Sequence, residues 1–247
     1  MLISVNILKS LFEVNPKNIL HVGAHNAEEI DDYRKAGWGL NRRIWIEAQH
    51  ELAKQLAHEF NPSTDTILEA CVWSESGIEK TFNNATNTQS SSLLKFDTHQ
   101  ESYPDINMLS ETKMTTTRID NLISEKERID FLNLDIQGAE LHAIRGLGHV
   151  SKHLNWIYTE VNWKHLYQDC PLIEEMDEEL RTLKFKRIAT RKVLRAGWGD
   201  ALYIRENKIP KYIKVRVFLF SLLKSIEFIK LITIKTLSRL RSLIDKQ

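Results

Sequence analysis

The stretch NILHVGAHNAEE, residues 18–29, decides how the chain is read. An apolar run, Asn18 to Gly23, ends on a glycine, and a polar, acid-rich segment follows it. This is the pattern of a strand, a tight turn and a helix. A glycine at such a turn lets the backbone approach a ligand closely. Asn26 stands where it can cap the helix, and Glu29 follows in capping-box spacing. The helix is expected to pass through Tyr33 and Arg34 and to stop at Gly37, a natural C′ residue.

The same alternation continues downstream. A second strand covers Arg43 to Ala48, and a helix from Glu51 to Phe60 ends before Asn61-Pro62. A third strand spans Thr66 to Trp73; after the turn Ser74 to Gly77 comes a short extended piece, Ile78 to Phe82. Residues 83–94 (NNATNTQSSSLL) are polar and turn-rich and read as a long surface loop, a kind of segment that often carries function. The fourth strand is Ile129 to Asp135, apolar enough for burial on both faces, with a helix over Ala139 to Leu147 behind it. Trp156 to Val161 is the fifth strand. Phe185 to Val193, Gly197-Trp198-Gly199 and Ala201 to Ile204 form a closing β-hairpin. Strands alternating with helices predict an α/β fold, a mostly parallel Rossmann-like sheet with crossover helices.

Composition narrows the function classes. With 247 residues, 42% hydrophobic and 27% charged, the chain has the make-up of an ordinary globular protein. It is divided here into a domain at 1–207 and a tail at 208–247. Cys71 and Cys170 have no CxxC partner, which fits a reducing compartment, and Cys71 in its apolar stretch reads as a small buried hydrophobe. A net charge of +1 gives no case for nucleic acid. Met1 to Leu11 is apolar but lacks the basic start and cleavage site of a secretory signal. No run reaches the roughly 18 apolar residues of a membrane span. A cytoplasmic protein is expected.

The tail differs. Tyr212, Val215, Leu219, Leu222, Ile226 and Ile229 recur at helical spacing, continued by Leu237 and Leu240, while Lys214, Lys224, Lys235 and Arg239 fall towards the other side. A basic amphipathic helix of this kind suits peripheral contact with a membrane interface, or packing on a second copy or partner.

In open α/β sheets ligands bind at the carboxyl ends of the strands, where strand order reverses. Glu47 ends the second strand, and a carboxylate there can accept hydrogen bonds from both hydroxyls of a ribose. With Gly23 it makes an adenosine signature. A dinucleotide site would want GxGxxG to receive pyrophosphate at a helix N-terminus. Here His25 and Glu28 occupy the second and third glycine places, and Glu29 adds further negative charge. S-adenosyl-L-methionine (SAM) has no phosphate, so it suits this turn better than NAD or FAD. The cofactor-binding candidates are Gly23, Ala24, His25, Asn26, Glu47, Ala48 and Cys71. The plainer alternative is that Gly23 merely ends a turn and Glu47 is a solvated charge.

Asp135 closes the fourth strand, beside the first if the order follows the doubly wound pattern, and can orient the donor or take a proton from an attacking hydroxyl. Glu160 ends the fifth strand on the same rim; these two are the catalytic candidates. The competing reading of Asp135 is a helix N-cap. Glu140 belongs on the following helix, in structural bonds. Ser90, Ser91 and Ser92 in the long loop, with Gln137, are the substrate-binding candidates. His21, His25, His142 and His165 show no HxxxH or other ligand spacing, so no metal is assigned.

Four stretches together resemble the FkbM-type methyltransferases: ILHVGAHNAEE with IWIEA (Ile19 to Glu29, Ile44 to Ala48), QSSSLL (Gln89 to Leu94), IDFLNLDIQGAELHAIRG (Ile129 to Gly146), and IYTEVN with WGDALYI (Ile157 to Asn162, Trp198 to Ile204). The resemblance runs from about Ile19 to Arg205. It implies a class I methyltransferase fold of seven strands, the last antiparallel, and SAM-dependent O-methylation of a small-molecule or glycan acceptor, often a sugar or a polyketide-type product. It implies that Gly23 and Glu47 hold SAM and that Asp135 lies at the reaction centre. The chain departs from the family's commoner first turn, having His21 before the glycine and Ala27 after it. The rival from another class is a methyltransferase-like binding module without catalysis.

Overall fold

Strands buried on both faces organise the molecule, and each face carries its own chemistry. The computed structural model describes residues 1–225. Numbered in chain order, the strands are β1 (Asn18–Val22), β2 (Arg42–Glu47), β3 (Asp65–Glu69), β4 (Cys71–Val72), β5 (Glu79–Ala85), β6 (Met108–Thr117), β7 (Phe131–Leu134), β8 (Trp156–Asn162), β9 (Phe185–Lys192) and β10 (Trp198–Arg205). The main sheet has the order β3-β2-β1-β7-β8-β10-β9. Its first five members run parallel, and β10 and β9 close it antiparallel. This is the seven-stranded class I methyltransferase arrangement, as the sequence led us to expect.

Side chains alternate across each strand. Leu20, Val22, Ile44, Ile46, Leu132 and Leu134 join one aliphatic cluster with Leu141 and Ile144 of α6 (Glu140–Arg145) and with Ile173, Met176 and Leu180 of α7 (Ile173–Thr182). The other face is aromatic. Trp45 lies 4.9 Å from His21 and 6.0 Å from Tyr33, and Trp38 lies 5.2 Å from Phe131. Asn133 donates to the Tyr33 hydroxyl at 2.9 Å, which pairs these two buried polar groups. Tyr33 belongs to α2 (Ile30–Ala36), which packs near α1 (Val5–Phe12).

One buried ion pair crosses neighbouring strands. Arg43 and Asp65 sit in register on β2 and β3, with Arg43 Nε 2.7 Å from Asp65 Oδ1. Trp45 Nε1 donates to the same oxygen at 2.9 Å. Burial opposes ionisation of Asp65, but the hydrogen bonds from Arg43, Trp45 and Thr64 outweigh it and hold the carboxyl below its ordinary range. Removing one partner of such a pair costs about 3–5 kcal/mol.

The structure corrects several local expectations. Asn26 caps nothing, and the Asn26–Glu29 capping box is absent, because α2 begins only at Ile30. His25 (φ 46) and Ala27 (φ 51) are left-handed, so residues 24–29 form turns closed by Ala27 N to Ala24 O at 2.7 Å and Ile30 N to Ala27 O at 3.0 Å. The third strand is two strands. After Glu69 pairs with Glu47, the last residue of β2, no central partner remains; Cys71 and Val72 instead join Thr116 and Thr117 in a second sheet of order β4-β6-β5. The expected loop at 83–94 starts as strand, since β5 reaches Ala85, and it folds back through an Asn83–Ser92 bridge.

The chain divides into two compact units, Met1–Ile209 and Pro210–Gln247. In the second, residues 213–225 are helical, and Tyr212, Val215, Leu219 and Leu222 of the apolar stripe are exposed. Ile226, Ile229, Lys235, Leu237, Arg239 and Leu240 lie outside the described residues. Among the described residues, no helix is long and apolar enough to cross a membrane.

Candidate active site

Strand order reverses between β1 and β7, which is where an open α/β sheet leaves a crevice. The two strand ends are drawn tightly together there, with Asp135 N donating to Val22 O at 3.0 Å. Gly23 follows with φ +84, and a Cβ added to it would lie 1.7 Å from the Asp135 carbonyl oxygen. The neighbouring strand therefore demands glycine at this position, whatever a ligand requires.

Two clefts open from this point. The smaller, about 560 Å³, is walled by Ile46, Ala48, Cys71, Val72 and Phe82, with Glu47 among its few charged groups. The larger, about 1180 Å³, mixes acidic and aromatic groups. They share Gly23, His25, Gln89, Asp135 and Gln137, so any group passing between them passes Asp135.

In the smaller cleft Glu47 is 5% exposed, and its two oxygens each accept one backbone N–H at 2.8 Å, from His25 and from Gln49. A carboxylate oxygen offers two lone-pair sites. Each therefore retains one, and a pair of ribose hydroxyls is the matching ligand. Burial pushes the Cys71 thiol up to about 12, so it stays neutral and acts as an apolar wall. Volume, apolar walls and the fixed carboxylate together fit an adenosyl group.

Two expected cofactor residues are elsewhere. Ala24 is buried and Asn26 exposed, and neither lines either cleft, because the left-handed turn at His25 and Ala27 carries them away. His25 lines both clefts, its ring bridging Glu28 Oε1 at 2.7 Å and Thr88 Oγ1 at 2.9 Å.

Asp135 is exposed, but into the clefts, with protein around it on the other sides. Burial first, and then the Asp200 carboxylate, push it up to about 6. Gln137, itself left-handed at φ 57, donates to Asp135 Oδ1 at 2.6 Å and to Glu160 Oε2 at 3.3 Å. Tyr167 in turn donates to Gln137 Oε1 at 2.8 Å. Glu160 is held well above the carboxylate range by burial and then by the charge of Asp135. Asp135 is not the N-cap of α6. The backbone N–H groups of Ile136 and Gly138 go to Glu140 Oε1, at 2.9 and 3.2 Å, which leaves the Asp135 carboxylate facing the clefts.

The expected substrate residues separate. Ser90 lines the larger cleft and Ser91 the smaller; Ser92 lines neither. Ser92 Oγ donates to Gln137 O at 2.7 Å and accepts from Leu94 N at 3.0 Å, so it props the left-handed turn. The Gln137 side chain is engaged by Tyr167, Asp135 and Glu160, which makes it a positioning residue. The histidines do not converge. His21 stacks on Trp45, His142 stacks on Trp73 at 3.6 Å, and His165 Nδ1 lies 2.8 Å from Cys170 O. Among the described residues no group of three or more side chains is arranged to hold a metal ion.

Sequence reasoning missed Gln49 and Phe82 in the smaller cleft and His99, Tyr103, Tyr167 and Trp198 in the larger. The last four come from three separate segments, with only His99 and Tyr103 linked by spacing, four residues apart across one short helix.

Comparison with known proteins gives three findings. Residues 21–187 match the family described as the methyltransferase FkbM domain. No curated protein sequence matches the chain. Among solved structures, the FkbM methyltransferase of Methylobacillus flagellatus is similar over 76% of this chain and 43% of its own, with 15% identity and a TM-score of 0.48. The magnesium protoporphyrin IX methyltransferase of Synechocystis, solved with bound SAM, is similar over 79% and 72%, with 10% identity and a TM-score of 0.42.

Proposed function

Since the chain belongs to the FkbM methyltransferase family, whose methyl donor is SAM, we propose that it is an O-methyltransferase acting on a hydroxyl of a sugar or glycan. The observation that carries this reading is the position of Asp135 where the two clefts meet.

In this reading Glu47 binds the ribose, while Ile46, Cys71, Val72 and Phe82 enclose the adenine. Bound SAM supplies an electrophilic methyl group on a sulfonium. The acceptor occupies the larger cleft and presents its hydroxyl beside Asp135. Holding the acceptor oxygen in line is worth several kcal/mol before any acid–base help. Asp135 Oδ1 is fixed by Gln137, and the carboxylate would take the hydroxyl proton as the C–O bond forms and the C–S bond breaks, leaving neutral SAH. With its carboxyl raised to about 6, Asp135 is ionised at neutral pH and well matched to this task. Glu160, its carboxyl held well above the ordinary range by burial and the charge of Asp135, lines the acceptor cleft beside it.

The test is calorimetric titration with SAM and S-adenosylhomocysteine (SAH), followed by transfer of labelled methyl to simple glycosides. Glu47→Ala should weaken SAH binding by about 30-fold or more, the scale of two hydrogen bonds to a charged group. Asp135→Asn should bind SAH normally and lose about 10²–10⁴-fold in transfer. A folded protein that binds neither nucleoside, or label on nitrogen or carbon instead of oxygen, would sink the reading.

For the tail, exposed Tyr212, Val215, Phe218, Leu219 and Leu222 support either a membrane interface or a second protein as occupant. Flotation with anionic liposomes, with and without residues 208–247, separates the two.

A further inference from the structure

The larger cleft has an asymmetry that goes beyond methyl transfer as such. One wall is aromatic and braced. The Trp198 indole N–H donates to the Tyr103 hydroxyl at 2.9 Å. His99 lies flat on Phe96 at 4.2 Å between ring centres, with 4° between planes, and 5.1 Å from Tyr103. The acidic groups of the lining are Glu28, Glu29, Asp135 and Glu160, and among the described residues no lysine or arginine lines the cleft. Met1 supplies an amino group, but it lies 3.0 Å from Glu29 Oε1 and is already paired. His99 is 4% exposed, and its Nδ1 has no hydrogen-bond partner among the described residues.

Each feature restricts the acceptor. An anion entering the cleft would lose hydration and find no basic side chain to replace it. A wholly apolar acceptor would strip water from the carboxylates and return no hydrogen bond. A ring with polar edges and C–H faces satisfies both walls at once, as aromatic side chains do best against a ligand with an apolar face. An unpartnered buried imidazole nitrogen is the kind of group that a ligand hydroxyl completes.

We propose that His99, Tyr103 and Trp198 form a specificity wall that selects an uncharged, polyhydroxylated ring and refuses phosphorylated or carboxylated counterparts at the reacting residue. The proposal rests on the assignment of this cleft to the acceptor. It adds three residues to the binding surface and a charge rule to the substrate class.

The experiment uses the full chain saturated with SAH and three matched sets of probes: neutral methyl hexosides, their 6-phosphates, and methyl hexuronosides. Binding is read by ligand-observed NMR. The neutral members should bind, and the phosphate and uronate partners at least tenfold more weakly. Trp198→Ala should weaken neutral binding tenfold or more, and His99→Phe, which keeps the stacked ring, several-fold. Unchanged SAH affinity in both variants shows that they are folded. Tyr103→Phe, losing only the brace to the indole, should have the smallest effect. Equal or tighter binding of the anionic probes overturns the charge rule. No probe bound while SAH binds overturns the wall and leaves the donor assignment standing. Failure of SAH itself to bind strikes the donor assignment and takes this proposal with it.

Discussion

The two clefts meet at one aspartate yet are built on opposite principles. In the smaller, the decisive side chain is anchored to the main chain: both oxygens of Glu47 are held by backbone N–H groups at 2.8 Å. In the larger, polar side chains are held mainly by one another, Tyr167 by Gln137 and Gln137 by Asp135 and Glu160. Backbone anchoring gives a rigid receptor for a ligand that never varies. Anchoring between side chains leaves a surface whose chemistry is reset by exchanging one residue, which suits a variable acceptor. Under the proposed function, the difference makes donor and acceptor recognition separable, and mutations should be able to separate them.

The largest expected effect comes where separation is impossible. Gly23→Ala sets a Cβ against the Asp135 carbonyl beneath both clefts and enforces a left-handed alanine. It should cost about 3 kcal/mol or more of stability, read from urea unfolding, and should damage SAH and acceptor binding together. An unchanged midpoint would mean that the strand ends are not held as described.

A smaller effect sharpens the contrast through charge. Burial and the neighbouring Asp200 and Glu29 raise Asp135 to about 6, the Gln137 hydrogen bond and the amino terminus oppose that rise, and Glu140 stands at about 7. Carboxyls raised in the folded state stabilise it most below their unfolded pKa, and that contribution is lost as pH rises through about 6 to 7. These two carboxyls should therefore make stability of the unliganded protein decline between about pH 4 and pH 7, a trend opposed by half-buried His142, which is held down to about 4. A sulfonium reverses the balance, because it favours ionised Asp135. SAM affinity should gain on SAH affinity, by up to about tenfold, as pH rises through about 6. Asp135→Asn should flatten that ratio. A ratio indifferent to pH in the unmodified protein would remove Asp135 from the donor's surroundings.

The smallest effect concerns the prop. Ser92→Ala leaves Gln137 O and Leu94 N without their shared hydroxyl and should cost about 1 kcal/mol. SAH binding should be unaffected and transfer reduced only modestly, since Ser92 lines neither cleft. A large loss of acceptor binding would return Ser92 to the substrate surface.

What the sequence made legible follows the same division. Gly23, Glu47 and Asp135 end strands whose apolar runs are unmistakable, so position along the chain nearly equals position in the site. The mostly parallel sheet, too, follows from the alternation of strands with helices. Three kinds of feature were illegible. The strand Met108–Thr117 is exposed through most of its length, so it has no apolar alternation to betray it. The break at Ala70 depends on where β2 ends. Whether Asp135 caps a helix or faces a cleft depends on Glu140, five residues on, taking the backbone N–H groups first. The aromatic wall gathers its members from segments almost a hundred residues apart. Competition and convergence of this kind exist only after folding.

The chain of hydrogen bonds behind Asp135 has a direction. Tyr167 donates into Gln137, and Gln137 donates into the two acids. An amide is an insulator in such a wire: it can hold a carboxylate in place but cannot carry a proton away from it. In the proposed reaction, a proton taken by Asp135 therefore has no exit through Gln137. It would leave into the clefts that Asp135 lines, once a product has made room for water. Proton discharge would then be locked to product departure, and the signature is a solvent deuterium effect on the release step in addition to any on the methyl transfer that precedes it.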